Sequence, residues 1–523
     1  MGVYLNPGND MFQMAINSEI YVDKTALISV TNKVLGTMQK FVCSSRPRRF
    51  GKSMAAYMLA AYYGKNCDSS EQFAPYKIAK CDSYGKYLNK YNVIMLNIQD
   101  FLSVTSSVEE MLSCLQSEVI RELCEVYPDV VSKDEKILSM ALNRLYGRRK
   151  EAFVFIIDEW DCILRDKSYH ADDQKKYLDF TRNLLKDKAY VALAYMTGIL
   201  PIKKYGTHSA LNMFDEYSMI DAGDFQEFVG FTEDEVHALC EQYQIDFEMM
   251  KSWYDGYVFP GEMHIYNPKS VVDSIRRKRF GSYWTQTETY EALKIYIDLN
   301  YDGLKDAIIE MLAGQRVCIH TDRFQNDMTT FESKDDVLTL LVHLGYLAYD
   351  SDRSEVFIPN IEIRGEFRNA VTGDHWKDIA TALETSDRLL RATWDGDAET
   401  VEKLLDAAHM ENTSILTYND ENSLSCVISI AYYSAMKDYT KIRELPSGKG
   451  FADIVFLPKR FSDKPAMVVE LKCDASADGA LAQIREKHYA DSLKEYKGNL
   501  LLVGINYNKK TKKHDCMIEK IEK

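Results

Sequence analysis

The first part of the chain alternates short, continuously apolar runs with stretches in which apolar residues return every three or four positions. The runs Phe41–Ser44, Val93–Ile98, Phe153–Ile157 and Tyr190–Thr197 predict strands, and their lack of polar alternation predicts burial on both faces of a parallel sheet. With helical runs such as Met54–Tyr63 between them, residues 1–230 read as an α/β sheet domain. Residues 231–370 are mostly helical in pattern, and Thr232 three residues before Glu235 predicts a capping box. Val337–Leu344 followed by two short β-type runs, 345–349 and 356–360, predicts a helix and hairpin of winged-helix type. No basic recognition helix stands out, so packing as a lid is the expected role there. Residues 371–415 read as connecting helices, with helical spacing over Ala398–Ala408. Residues 416–523 predict a helix from Glu421 to Met436, strands at Ala452–Leu457, Ala466–Cys473 and Leu500–Ile505, and a helix from about Ala475 to Tyr496, a β-β-α-β core.

Candidate chemistry sits at the ends of these elements. Gly51-Lys52-Ser53 follows the first strand and opens the first helix, the strand–loop–helix context of a phosphate-binding loop. Backbone N–H groups at the helix start would hold phosphate oxygens, Lys52 would reach the β- and γ-phosphates, and Ser53 would ligate Mg²⁺. Arg46 stands where such loops carry their first glycine. The buried run 153–157 ends in Asp158-Glu159-Trp160-Asp161, which places Asp158 to organise Mg²⁺ and Glu159 to polarise a water. Thr197, at the end of the next strand, could sense the γ-phosphate. Each piece has a bland reading (a solvated strand end, a helix cap), but their order and context together favour a nucleotide site.

A second constellation lies near the C-terminus. Strand alternation puts Glu470 and Lys472 on one side and Val469 and Leu471 on the other. Asp453, near the start of the preceding strand, would complete a metal-assisted hydrolysis site. Asp453 and Glu470 would hold Mg²⁺ or Mn²⁺, and Lys472 would orient or help deprotonate the attacking water. A surface ion pair of Glu470 with Lys472 is the default for the short motif taken alone.

Composition narrows the class. A chain of 523 residues, 46% hydrophobic and 12% aromatic, is long enough for about three globular domains. The net charge of −15 argues against a surface basic all over, yet residues 441–523 carry 17 Lys and Arg against 12 Asp and Glu. That asymmetry is consistent with phosphate-backbone contact confined to the C-terminal end; Lys509, Lys510, Lys512 and Lys513 could supply part of it, while Arg276–Arg279 reads as a solvated helix end. The 11 cysteines lack a Cys-x-x-Cys pair, which predicts reduced thiols with neither zinc site nor disulfide framework. No run is long enough to span a membrane and no signal peptide opens the chain, so a cytoplasmic protein is expected.

The residues Arg46-Pro47-Arg48-Arg49-Phe50-Gly51-Lys52-Ser53 resemble the signature of the AAA-ATPase-like family, in which an arginine-rich loop replaces the first glycine. The resemblance continues through Tyr21-Val22-Asp23-Lys24-Thr25, Ile157–Asp161 (with Trp160 where Tyr is commoner), Thr197-Gly198-Ile199, Leu211-Asn212, Trp253–Tyr257 and Tyr266-Asn267-Pro268, about residues 15–275. It implies an AAA-type P-loop fold with ATP and Mg²⁺, and nucleotide contacts at Arg46, Arg49, Gly51, Lys52, Ser53, Asp158 and Thr197, with Glu159 catalytic. No arginine finger can be assigned. The C-terminal segment resembles the PD-(D/E)XK nuclease superfamily, whose motif falls on Asp453, Glu470 and Lys472. Gln483 and Tyr489 match helix residues of that branch, Gly448-Lys449-Gly450 fits its glycine-rich approach, and Glu421 sits where an additional metal-site acid is often found. The expected domains are therefore an ATPase (1–230), a helical or winged-helix lid (231–370), a connector (371–415) and a nuclease (416–523). The expected activity is ATP-controlled, metal-dependent cleavage of nucleic acid, DNA before RNA. The alternative is an ATP-dependent switch or scaffold with a non-cleaving nuclease-like module, and ring-forming homo-oligomers are left open.

Overall fold

In a computed structural model of the protein, the described residues are 2–166, 168–202, 204–205, 208–209, 211–284, 290–299, 301–325, 328, 330–372, 376–408, 421–447, 450–459, 462–486 and 499–521. The chain divides into two compact units: residues 1–287 with 318–362, and residues 288–317 with 363–523. The division falls inside the segment 231–370, assigning the hairpin part to the first unit and the flanking helices to the second.

The first unit is built on a five-stranded sheet. Its strands are β1 (Phe41–Ser45), β2 (Asn92–Asn97), β3 (Phe153–Asp158), β4 (Val191–Gly198) and β5 (Asp215–Tyr217), in the order β2-β3-β4-β1-β5. Every pairing is parallel. β1, β3 and β4 are buried along their whole length, which is why their sequences are apolar without alternation. Helix α1 (Lys52–Tyr63) leaves the end of β1 and buries Ala56, Leu59 and Tyr63 in the core beside Val42 and Ile156.

Beyond the sheet, strand β6 (Phe231–Thr232) leads into α2 (Glu233–Tyr243), where Thr232 and Glu235 form the expected capping box. Helix α3 (Phe247–Tyr254), hairpin β7 (Tyr257–Phe259) and β8 (Met263–Tyr266), and α4 (Pro268–Arg277) follow. Helix α5 (Lys334–Leu344) ends at Gly345, whose φ of +89° suits glycine, and precedes the hairpin β9 (Ala348–Asp350) and β10 (Glu355–Phe357). The helix-then-hairpin expected from the sequence is present.

In the second unit, α6 (Lys377–Asp395), α7 (Ala398–Ala407) and α8 (Glu421–Ala431) precede a five-stranded sheet. Its strands are β11 (Tyr439–Ser447), β12 (Gly450–Pro458), β13 (Ala466–Cys473), β14 (Leu500–Asn508) and β15 (Lys513–Ile521), paired in chain order. Only β13 and β14 run parallel, with α9 (Ala477–Glu486) in the connection between them. The four-element core read from the sequence is thus widened by β11 and β15. The predicted helix 421–436 is α8 followed by a short 3₁₀ turn, Tyr433–Lys437.

Candidate functional site

The phosphate loop joins β1 to α1 through Gly51, whose φ of +96° would strain any other residue. Lys52 is buried, and its ammonium donates to the Pro47 carbonyl at 3.0 Å, folding back over its own loop. Burial pushes its pKa down, while the nearby Glu159, Asp161 and Asp158 pull it back up. The sheet order sets the rest of the site. β4 lies between β3 and β1, so Thr197 stands in register with Asp158 on one side and Ser44 on the other. Thr197 is fully buried and its hydroxyl has no hydrogen-bond partner among the described residues. Asp158 is buried, which raises its pKa, and the nearby Ser53 hydroxyl opposes that rise. Ser53 and Asp158 form a hard oxygen pair of the kind that suits Mg²⁺.

A cavity of about 1050 Å³ opens over this loop. Arg49, Gly51, Lys52, Ser53 and Glu159 line it, together with an apolar wall that includes Phe12, Tyr21 and Phe231. Arg46 does not line it. Its side chain is fully buried, lies 5.1 Å from the Phe259 ring, and donates to the carbonyls of Ser45 and Tyr217 at 3.0 and 3.2 Å. Burial lowers its pKa to about 10. The rest of the arginine-rich segment is held in the same way. Phe50 meets Tyr257 edge-on at 5.6 Å, and the Arg48 carbonyl accepts from the Trp284 indole at 3.1 Å. A Cβ on Gly345 would meet Pro47 at 2.8 Å. Arg46 and Pro47 thus pack against hairpin β7–β8 and the Gly345 end of α5, while Arg49 and the Gly-Lys-Ser residues face the cavity.

In the second unit the residues expected to act on a phosphodiester come together. Val469 pairs with Ile454 across the antiparallel strands, which sets Asp453 beside Glu470. The Asp453 Oδ2 accepts the Leu471 N–H at 2.7 Å. Glu470 is 1% exposed, and its Oε1 accepts from the Lys472 ammonium at 3.3 Å and from the Gln483 amide of α9. Two carboxylates offering oxygen, one of them buried against a cation and an amide donor, fit a hard divalent ion. Glu421 opens α8, but its side chain, like Tyr489 and the Gly448-Lys449 pair, lies outside the described residues.

Two family models match the chain: a predicted AAA-ATPase over residues 8–207 and the PD-(D/E)XK nuclease superfamily over residues 419–516. The chain thus carries an AAA-ATPase-like segment and, toward its C-terminus, a PD-(D/E)XK nuclease superfamily segment. A protein of Azotobacter chroococcum mcd 1, described only as uncharacterized in the vnfD 5′ region, is 22% identical over 493 residues, 89% of either chain. Among solved structures, a Walker-type ATPase of Pyrococcus abyssi is 14% identical with a TM-score of 0.35, covering 66% of this chain and 94% of that one. The ORC2 protein of Aeropyrum pernix, solved in ADPNP–ADP complexes, is 11% identical with a TM-score of 0.30, covering 69% of this chain and 97% of that one.

Several contacts around this site were not read from the sequence. Asp161 is fully buried, and its Oδ2 accepts the N–H groups of Ile199 at 3.0 Å and Leu200 at 2.8 Å, just past the end of β4. Gly198 allows that approach, since a Cβ there would lie 2.4 Å from the Asp161 carboxylate. Arg165 pairs with both Asp161 and Glu159 and lines the cavity, as do Lys269 and Arg276 of α4. Lys24 also lines it, but its ammonium is committed to Glu235 and the Glu227 carbonyl, while Asp23 and Thr25 tie the segment to Lys77 and Ile78. Behind the hairpin, Glu233, Asp255 and His264 converge within 4.8 Å; Lys251 bonds both Glu233 oxygens, which makes the group an ion-pair network. Among the described residues no helix is long and apolar enough to cross a membrane.

Proposed function

We propose that this protein binds and hydrolyses ATP at the β1–α1 loop, and that its C-terminal domain is a metal-dependent nuclease cleaving DNA phosphodiesters under nucleotide control. The observation that carries the reading is the meeting of Asp453, Glu470, Lys472 and Gln483 at one point of the β12–β13–α9 surface. Chance motifs of the x-Glu-x-Lys kind bring no acid from the neighbouring strand and no amide from a following helix.

Asp453 and Glu470 would hold Mg²⁺ or Mn²⁺, which when bound supplies Lewis-acid charge and an acidified water. Lys472, 20% exposed beside a buried carboxylate, stays near the reacting water and orients it or takes its proton. Gln483 fixes the Glu470 carboxylate from the helix side. In the first unit, Lys52 and the amides opening α1 would hold the β- and γ-phosphates, with Ser53 and Asp158 as the Mg²⁺ ligands. Glu159 would polarise the attacking water, and the buried, unbonded Thr197 hydroxyl is a donor suited to the γ-phosphate.

The test is incubation of purified protein with linear, circular and single-stranded DNA and with RNA, with and without ATP and Mg²⁺. Metal-dependent cleavage lost in Asp453→Ala supports the reading. Nucleic-acid binding without cleavage under every condition would replace it with an ATP-dependent scaffold carrying a nuclease-like binding module.

A further inference from the structure

Glu159, the residue placed to polarise water, is already engaged. Its carboxylate pairs with the Arg165 guanidinium through Nη2, and Arg165 is only 12% exposed. The other edge of the guanidinium, Nε, lies 3.0 Å from Asp161 Oδ2, the same oxygen that takes the Ile199 and Leu200 N–H groups. Asp161 thus roots Arg165 to the end of the strand carrying Thr197, while Nη2 reaches toward the cavity. The Lys52 ammonium feels Glu159, Asp161, Asp158 and Arg165 together, so both cations belong to one electrostatic neighbourhood at the phosphate end. Glu159 holds this pose with φ of +51°, a left-handed backbone that a glutamate adopts only when its surroundings impose it.

On the ATP-binding reading above, we infer that Arg165 is a positioning residue for Glu159, a latch for which the carboxylate and the γ-phosphate compete. The pair with the guanidinium ties Glu159 back. A γ-phosphate beside Lys52 offers Arg165 a more highly charged, bidentate acceptor within reach of a pivot about Asp161. Glu159 then becomes available to a water only when a γ-phosphate is there to be attacked. ADP, lacking that group, leaves the latch closed.

Competition has a thermodynamic signature. If Glu159 and the γ-phosphate share one guanidinium, neutralising Glu159 must tighten a non-hydrolysable ATP analogue relative to ADP, and the gain must require Arg165. The experiment is calorimetric titration of full-length wild type, Glu159→Gln, Arg165→Ala and the double variant with AMP-PNP and with ADP, Mg²⁺ present. Glu159→Gln is expected to raise the AMP-PNP preference over ADP about tenfold, and the double variant to show no such gain over Arg165→Ala. Arg165→Lys, which keeps the charge, should recover part of the preference. An equal gain from Glu159→Gln with and without Arg165 overturns the latch and leaves the ATP site standing. Failure of the wild type to bind either nucleotide overturns the latch and the ATP reading together.

Discussion

At the scale of single residues, the two sites make different demands on their charged groups. Glu470 is buried, with Lys472 at 3.3 Å as the cation beside it. Replacing Lys472 by Ala should lower the cleavage rate about 10²- to 10⁴-fold. DNA affinity in Ca²⁺ should stay within about twofold, because one cation is a small part of the charge that holds a phosphate backbone. Cleavage assays beside gel shifts check this, and undiminished cutting would take Lys472 out of the chemistry. Asp158 presents the opposite balance. Burial raises its folded-state pKa, so the ionised form costs the fold free energy once pH exceeds the ordinary carboxylate value. Asp158→Asn should therefore stabilise the nucleotide-free protein at neutral pH, by about 1 kcal/mol, while ending Mg²⁺-dependent hydrolysis. The gain should shrink in acid, where the wild-type carboxyl is protonated in both states; thermal melts at several pH values read it. Lys52 has its pKa pushed down by burial, yet phosphate binding needs the ammonium. Binding ATP favours the charged form, so at alkaline pH association should take up a proton and affinity should fall as pH rises. Calorimetry in buffers of different ionisation enthalpy measures the uptake, and a pH-independent affinity up to the ordinary lysine range would contradict it.

At the scale of elements, close approaches decide whether the sites assemble. Gly504 on β14 is in register with Glu470, and a Cβ there would lie 2.4 Å from the Ala477 carbonyl and 3.1 Å from the Ala480 side chain. That glycine lets α9 settle on the sheet and so lets Gln483 reach Glu470. Gly504→Ala should cost about 1–3 kcal/mol and lower cleavage by displacing the helix. Gly365, on the helix Ile361–Ala370 with open space where its Cβ would be, is the control: Gly365→Ala should be neutral or stabilising by up to about 1 kcal/mol. Urea denaturation of the pair separates steric displacement from general intolerance. The same logic explains what could be read from the residues alone. Strands β3 and β4 were legible because burial on both faces leaves a continuous apolar signature, and the placement of Lys52 at a helix start, Asp158 at a strand end and Glu470 with Lys472 on one strand because their spacing is local. Arg46 was legible as part of a family signature but not as a group packed on Phe259, since that partner is 213 positions away and a charge in sequence does not announce its burial. Asp161 and Arg165 stand four apart at the start of a helical turn, a spacing that permits an ion pair. Nothing local, however, said that Asp161 would also cap Ile199 and Leu200. β11 and β15 escaped because charged and polar residues interrupt their apolar pattern, as edge strands require.

At the scale of the whole molecule, an ATPase-like unit and a nuclease-like unit share one chain, and the question is whether one governs the other. Two independent enzymes would show cleavage indifferent to nucleotide. Control would show cleavage that changes with ATP and ceases to change when the ATP site is emptied. Lys52→Ala is the variant for the purpose, because it removes the ammonium over the phosphate loop and belongs to the first unit. Under control by ATP, wild-type cleavage in Mg²⁺ should respond to ATP by about tenfold or more in either direction, the size of a typical coupling between sites. Lys52→Ala should cut at one nucleotide-independent rate. That residual rate should vanish with EDTA and with Asp453→Ala, which separates a silent nuclease from an uncoupled one. The sign of the change carries its own information. Lys52→Ala should cut like the ATP-free wild type; if ATP raises wild-type cutting above that rate, the empty ATPase restrains the nuclease, and if ATP lowers it below that rate, the nucleotide-bound form restrains it. Equal cleavage by the wild type with and without ATP would break the link between the two activities while leaving each site's own chemistry intact.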